Sequence, residues 1–152
     1  EKLRVRVMGI LVRDNSILLI NHSGLNKENE LWLPPGGGVE DGESAKDALI
    51  REFKEETGLM IEVNNFLFGS ELISSPFHAI ELFFEVNNAK GNLVLGHDPE
   101  LSNDSMFNGI KFVDLNELLK VKTNLKHKIF DDISNVEKLF DKRGDFYFHN
   151  NV

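Results

Sequence analysis

Hydrophobic and polar positions alternate from the start of the chain, with Leu3, Val5 and Val7 set against Arg4 and Arg6 before residues 8–12 become apolar. This pattern predicts a strand over 3–12 that runs from an exposed end into a core. Asp14-Asn15 supplies a turn, and residues 16–21 place four apolar side chains between polar ends, so the two segments read as a hairpin. A polar loop follows over 22–30. Leu31-Trp32-Leu33 is a short apolar piece stopped by Pro34-Pro35, and Gly36-Gly37-Gly38 reads on its own as a tight turn. Ser44 with Asp47 three residues on marks a helix start, and Gly58 stops that helix after Thr57. Strands are predicted over 61–71 and 78–87, the second alternating Ile80, Leu82, Phe84 and Val86 with Glu81, Phe83 and Glu85. Residues 91–108 read mostly as loop, 110–113 as a last core strand, and Asp114 as the cap of a short helix through Leu119. Leu125, Ile129, Ile133, Val136 and Phe140 then predict an amphipathic C-terminal helix. Strands, helix, strands and helices in that order describe an α/β fold with a central mixed β-sheet, not a regular βαβ alternation.

Composition narrows the function classes. The 152 residues are 41% hydrophobic and 28% charged, which suits one globular domain spanning 1–152. There is no cysteine, so disulfides, thiolate metal sites and cysteine nucleophiles are excluded, in keeping with a cytoplasmic location. Seventeen basic against twenty-five acidic residues give a net charge of −8, which disfavours long nucleic acid and anionic membrane as partners. Apolar runs such as 17–20 are far short of the ~20 residues that span a bilayer.

The anomaly lies in the helix after the glycines. On a helical wheel, Ala45, Ala48, Leu49 and Phe53 form the apolar stripe, while Asp47, Arg51 and Lys54 take the opposite side. Glu52 falls between Ala48 and Leu49, and Glu56 between Ala45 and Leu49, so two carboxylates sit in the stripe that should face the core. Glu55 is at its edge. Carboxylates so placed repel one another and demand a compensating charge, which an arginine, a lysine or a hard divalent cation can supply. A solvated acidic face is the plainer alternative, and the wheel argues against it. The preceding GGVEDGES (residues 37–44) has the spacing of a phosphate loop, but Glu43 stands where that motif requires lysine.

Taken together, Gly37, Glu43 and the run Arg51-Glu52-Phe53-Lys54-Glu55-Glu56-Thr57-Gly58-Leu59 resemble the Nudix box, G-x5-E-x7-R-E-U-x-E-E-x-G-U, with U a bulky apolar residue. All seven fixed positions match, and Phe53 is the one mild departure, an aliphatic residue being commoner there. The box covers 23 of the 152 residues. The resemblance implies a Nudix-like α/β/α sandwich and a pyrophosphohydrolase that cleaves a diphosphate bond in a nucleoside diphosphate linked to another moiety. It assigns Glu52, Glu55 and Glu56, with the Gly37 carbonyl, as ligands of Mg²⁺, with Mn²⁺ as the alternative ion. Glu52 is the first choice for general base. Arg51 joins this catalytic set as an ion pair that orients Glu52 or braces Glu43, and Glu43 and Gly58 are supporting residues. A further metal ligand is expected from the loop holding Asp98, Glu100 and Asp104, with Glu100 preferred; Glu81 and Glu85 are second candidates.

Substrate choice is less legible. Trp32 is a candidate to stack on a nucleobase, packing beneath the loop being the alternative. His22, Lys27 and Arg13 border the polar loop, and Phe146-Tyr147-Phe148 can pack on the core, extend a sheet edge or meet a second subunit. The expected partner is a small nucleotide, and a homodimer is compatible with the chain but not predicted. A nucleoside triphosphate is favoured over ADP-ribose, nucleotide sugars and dinucleoside polyphosphates, because the chain begins almost at its first strand. A non-catalytic nucleotide-binding module is the reading from another class.

Overall fold

The computed structural model describes residues 2–74, 76–94 and 107–150. Two sheets form the centre. The first has the order β5-β1-β7-β6-β9 and is mixed. It contains β5 (Gly36–Gly38), β1 (Leu3–Ile10), β7 (Phe77–Lys90), β6 (Met60–Ser74) and β9 (Phe146–Asn150). β1 runs parallel to β7 and β9 parallel to β6, while the β5-β1 and β7-β6 pairs are antiparallel. The second sheet is antiparallel and joins β2 (Val12–Arg13), β3 (Ser16–His22), β4 (Leu31–Leu33) and β8 (Phe107–Asp114).

The single strand expected over 3–12 is therefore two strands that serve different sheets. The chain changes sheet at Leu11, whose carbonyl accepts from Leu18 N–H at 3.0 Å. Asp14 and Asn15 then turn with φ of 50° and 61°, the left-handed pair that a two-residue hairpin between twisted strands requires. The glycines at 36–38, read as a turn, form strand β5 instead. A Cβ at Gly36 would collide with the Val7 carbonyl, so glycine is what lets β5 lie this close to β1.

Helix α1 (Ala45–Thr57) has the predicted ends. Ser44 Oγ accepts from Asp47 N–H at 3.1 Å, and Gly58 closes the helix at φ 78° with its N–H on the Lys54 carbonyl. Its apolar stripe of Ala48, Leu49 and Phe53 packs on Val7, Leu11, Leu18, Phe84 and Val86. A second cluster on the other side joins Met8, Ile10, Phe68 and Phe83 to Leu19, Leu33 and Val113, and is closed by Leu118 of α2 (Leu115–Lys120). The β layer is thus covered by α1 on one side and by α2 with the C-terminal turns on the other. Among the described residues no helix is long and apolar enough to cross a membrane.

The expected C-terminal helix does not form. Residues Thr123–Leu125, Lys128–Phe130 and Val136–Lys142 are separate 3₁₀ turns. His127 Nδ1 caps the second turn by accepting from Ile129 N–H, and Asp132 at φ 62° breaks the chain direction before Asn135 starts the third. The apolar spacing still marks what is buried, since Ile129 and Val136 enter the core and Ile133 and Phe140 pack against it. Phe146-Tyr147-Phe148 extends the sheet edge as β9, with the Tyr147 ring edge-on to Phe68 at 6.1 Å.

Gly9 is where α1 meets β1 most closely. A Cβ there would lie 2.6 Å from Phe53 and 2.8 Å from Val86, both in the core. Gly9→Ala is expected to destabilise the fold by about 1–3 kcal/mol through overpacking. A urea midpoint equal to that of the parent protein would refute the close packing of Phe53 on this strand.

Candidate active site

The acidic helix face is built against the glycine strand. Glu52 and Glu56 are 4% and 1% exposed, as their place in the apolar stripe requires. Gly36 N–H donates to Glu56 Oε1 at 2.8 Å. That charge-assisted bond offsets part of the cost of burying the carboxylate. A Cβ at Gly37 would strike the Glu52 carboxylate, with 2.5 Å to its Oε2, so only glycine leaves this side chain and the main chain in contact.

Arg51 connects the parts. Its Nε and Nη2 donate to the two oxygens of Glu43, each at 2.8 Å, and its Nη1 donates to Glu52 Oε1 at 3.0 Å. Nη2 also reaches the Gly38 carbonyl at 3.1 Å, and Nη1 lies 3.5 Å from Glu55. The hydrogen bond from Arg51 holds the Glu43 carboxyl at about 2, well below the usual range. The bonds to Glu43 and then Glu52 outweigh partial burial and raise the Arg51 pKa, so it stays protonated. With Glu40 at 3.9 Å, four carboxylates share one guanidinium.

Among the described residues, no three acidic or histidine side chains converge closely enough to hold a metal ion. Glu52 and Glu55 are turned toward Arg51, and Glu56 toward β5. The donor chemistry nonetheless fits a hard divalent cation, because the side-chain groups against β5 are carboxylate oxygens. Glu100, with Asp98 and Asp104, lies outside the described residues.

The remaining candidates are dispersed. Trp32 lines a pocket of about 320 Å³ with Leu19, Lys111, Val113 and Leu118, none of them from the acidic helix. Its Nε1 donates to Glu30 Oε2 at 3.2 Å, and Lys111 Nζ stands 5.7 Å over its ring. Arg13 covers the Phe112 ring, and Lys27 is exposed. Burial, with Arg6 nearby, lowers the His22 pKa to about 3 and keeps that side chain neutral. Gly58 acts through backbone fit, because a Cβ there would lie 2.8 Å from the Asn92 carbonyl.

A second polar centre was not visible in the sequence. Glu81, 3% exposed, lies with Phe83 on the face of the first sheet opposite α1, which separates it from Glu52. Ser70 Oγ donates to Glu81 Oε1 at 2.8 Å, and His127 Nε2 lies 2.7 Å from the same oxygen. Because His127 Nδ1 accepts from Ile129 N–H, the proton sits on Nε2 and points at Glu81. Burial pushes Glu81 up, but the His127 ring, the bonds from His127 and Ser70, and nearby Arg6 outweigh it and hold the carboxyl at about 2. Nothing local marks Ser70 or His127 in the sequence, and the alternation around Arg6 and Glu81 reads as an ordinary half-exposed strand.

Residues 2–133 match the family described as the NUDIX domain. Over 122 residues the chain is 37% identical to the ADP-ribose pyrophosphatase of Methanocaldococcus jannaschii, a match that covers 77% of this chain and 65% of that protein. It is 38% identical over 61 residues to the CTP pyrophosphohydrolase of Escherichia coli, covering 40% and 45% respectively. The chain thus spans less than two thirds of each of these curated relatives. Its fold superposes on the MutT NUDIX hydrolase from Burkholderia pseudomallei with a TM-score of 0.68 at 22% identity, over 93% of this chain and 98% of that one. A match that takes in both sheets apart from the edge strand β9, and the whole acidic helix, joined to a box complete from Gly37 to Leu59, places the chain in the Nudix hydrolase family.

Proposed function

We propose that this protein is a metal-dependent pyrophosphohydrolase that cleaves a diphosphate bond in a nucleoside diphosphate linked to another moiety. The observation that carries the reading is the burial of Glu52 and Glu56 against the glycine strand, in surroundings where one guanidinium serves four carboxylates. Burying two carboxylates in an apolar stripe carries a cost of several kcal/mol by order of magnitude, which hydrogen bonds and opposite charge must offset. A divalent cation would balance it. Glu52, Glu55, Glu56 and the Gly37 carbonyl are the groups that would hold Mg²⁺ or Mn²⁺. When bound, such an ion neutralises phosphate oxygens and lowers the pKa of the attacking water.

The chain's own residues have separable tasks. Glu56 is fixed by Gly36 N–H, so its position follows β5. Glu52 is the proton acceptor in this reading, held against Gly37 and oriented by Arg51. Arg51 is a positioning residue, and its partner Glu43 fixes the loop before α1 to the helix. The relatives named for ADP-ribose and for CTP share cleavage of a diphosphate bond within a nucleotide, and that shared chemistry defines the substrate class proposed for this chain.

Glu55→Gln and Glu56→Gln are each expected to lower kcat by roughly 10²–10³-fold, as for groups that act mainly in the transition state. Chromatographic detection of the cleaved nucleotide products from a panel of nucleoside triphosphates, ADP-ribose, nucleotide sugars and dinucleoside polyphosphates tests this. Turnover should vanish in EDTA and return with Mg²⁺ or Mn²⁺. Near-parent activity in either variant would sink the assignment of these carboxylates, and a folded protein silent on the whole panel would favour a binding module.

The Glu43–Arg51 pair has a pH signature. A carboxyl whose folded pKa is depressed contributes stability above its unfolded value of 4.5 and loses it as pH falls toward about 2. Urea midpoints measured from pH 7 down to pH 2.5 should therefore fall less steeply below pH 4.5 in Glu43→Gln than in the parent. Parallel curves would show that the pair does not contribute to folding.

A further inference from the structure

The strand register assembles one polar row across the first sheet. Arg6 of β1 is the Cα partner of both Gly38 in β5 and Glu81 in β7; Glu81 is paired with Ser70 in β6, and Ser70 with Tyr147 in β9. The row therefore reads Gly38, Arg6, Glu81, Ser70, Tyr147 outward from the strand that carries the candidate active-site glycines. One row further along the same face stand Gly36, Met8, Phe83 and Phe68, three of which are core residues. The polar row thus lies where the apolar core gives way, and Arg6 is only half-buried.

Two features set this row apart from a structural ion pair. Both hydrogen bonds to Glu81, from Ser70 and His127, go to Oε1, and Oε2 accepts none from any described residue. Arg6 acts electrostatically on Glu81 and on His22, yet its guanidinium makes no hydrogen bond or ion pair among the described residues. A fixed carboxylate oxygen and a guanidinium without hydrogen bonds among the described residues thus stand on neighbouring strands, an acceptor beside a donor.

We propose that Arg6 and Glu81 determine base specificity, reading an amino base, adenine or cytosine, with Arg6 donating to a ring nitrogen and Glu81 Oε2 accepting from the exocyclic amino group. The order of the row decides which bases fit. A nucleotide whose phosphates lie at β5 presents the near part of its base to Arg6 and the far part to Glu81. In adenine and cytosine the far group is an N–H₂ and the nearer ring nitrogen is an acceptor. In guanine and uracil the far group is a carbonyl, which would face a carboxylate oxygen, and the nearer ring nitrogen carries a proton that would face the guanidinium. The inference deepens the hydrolase reading by naming the substrate's base.

Binding of nucleoside monophosphates, measured by calorimetry on the full chain, tests it without turnover. AMP and CMP are expected to bind at least about tenfold more tightly than GMP and UMP. In Glu81→Gln the bonds from Ser70 and His127 keep the amide oxygen at the Oε1 position, so an N–H₂ replaces Oε2 and the preference should vanish or invert. Arg6→Gln alters a half-buried side chain with no such bonds, and should weaken AMP and CMP about tenfold while leaving GMP and UMP within about twofold. Equal affinity for all four nucleotides in the parent, or an equal loss for all four in both variants, would overturn the proposal and leave the row a structural feature. Base discrimination without hydrolysis would keep these two residues as readers while the hydrolase reading fell, and hydrolysis without base discrimination would do the reverse.

Discussion

Arg51 holds three segments of chain with one planar group. Its fork takes both oxygens of Glu43 in the loop before α1, Glu52 on the helix itself and the Gly38 carbonyl on β5. Loop, helix and strand are thereby fixed to one another at the place where Glu52 meets Gly37. A lysine could satisfy one of these acceptors as a point charge but could not span them, because the match depends on several donors held in one plane. The same geometry explains why two carboxylates can occupy an apolar stripe: Glu52 is anchored from its solvent side, and Glu56 from the strand by Gly36 N–H.

The glycine strand answers to two constraints at once. Gly36 must lack a side chain because β5 approaches the Val7 carbonyl, and Gly37 must lack one because Glu52 approaches β5 from the helix. Gly38 is pressed from both sides. Arg51 takes its carbonyl, and a Cβ there would lie 2.5 Å from the Arg4 guanidinium. Backbone fit and site construction are therefore one requirement in this strand. The neighbouring β1 divides the interior in the same economical way, sending Val7 to the helix side, Met8 and Ile10 to the other, and yielding at Gly9 to admit the Phe53 ring.

Features set by local chemistry were legible in the sequence. The Asp14-Asn15 turn, the Ser44 and Gly58 ends of α1, the Asp114 cap and the inward placement of Glu52 and Glu56 each depend on residues within a turn or two of one another. Features set by distant partners were not. The glycine run is a strand because β1 lies beside it, and the residues after 122 are short turns because His127 caps one of them while its ring faces Glu81, 46 residues earlier. Helical spacing at Leu125, Ile129, Ile133 and Val136 records which side chains face inward, but it does not record how the backbone between them is hydrogen-bonded. Ser70 and Arg6 join Glu81 only through the register of three strands, which no local pattern encodes.

The two buried acidic centres resolve the cost of burial in opposite ways, and the difference bears on what each can do. Around α1 one guanidinium is shared by several carboxylates, an all-oxygen set of the kind a hard cation takes in the proposed function. Around Glu81 the compensation is directional: two donors fix one oxygen, the His127 ring supplies one of them, and Arg6 acts on the charge from the adjacent strand without closing on it. A charge balanced by hydrogen bonds has little further pull on an ion, but it retains an oriented lone pair. In the two proposals the helix centre would hold charge against a phosphate chain, and the sheet centre would test the hydrogen-bonding pattern of what that chain carries. In the proposed reading a substrate would pass from the first centre to the opposite face at the sheet edge, where β5 lies in register beside β1 and Gly38 pairs with Arg6.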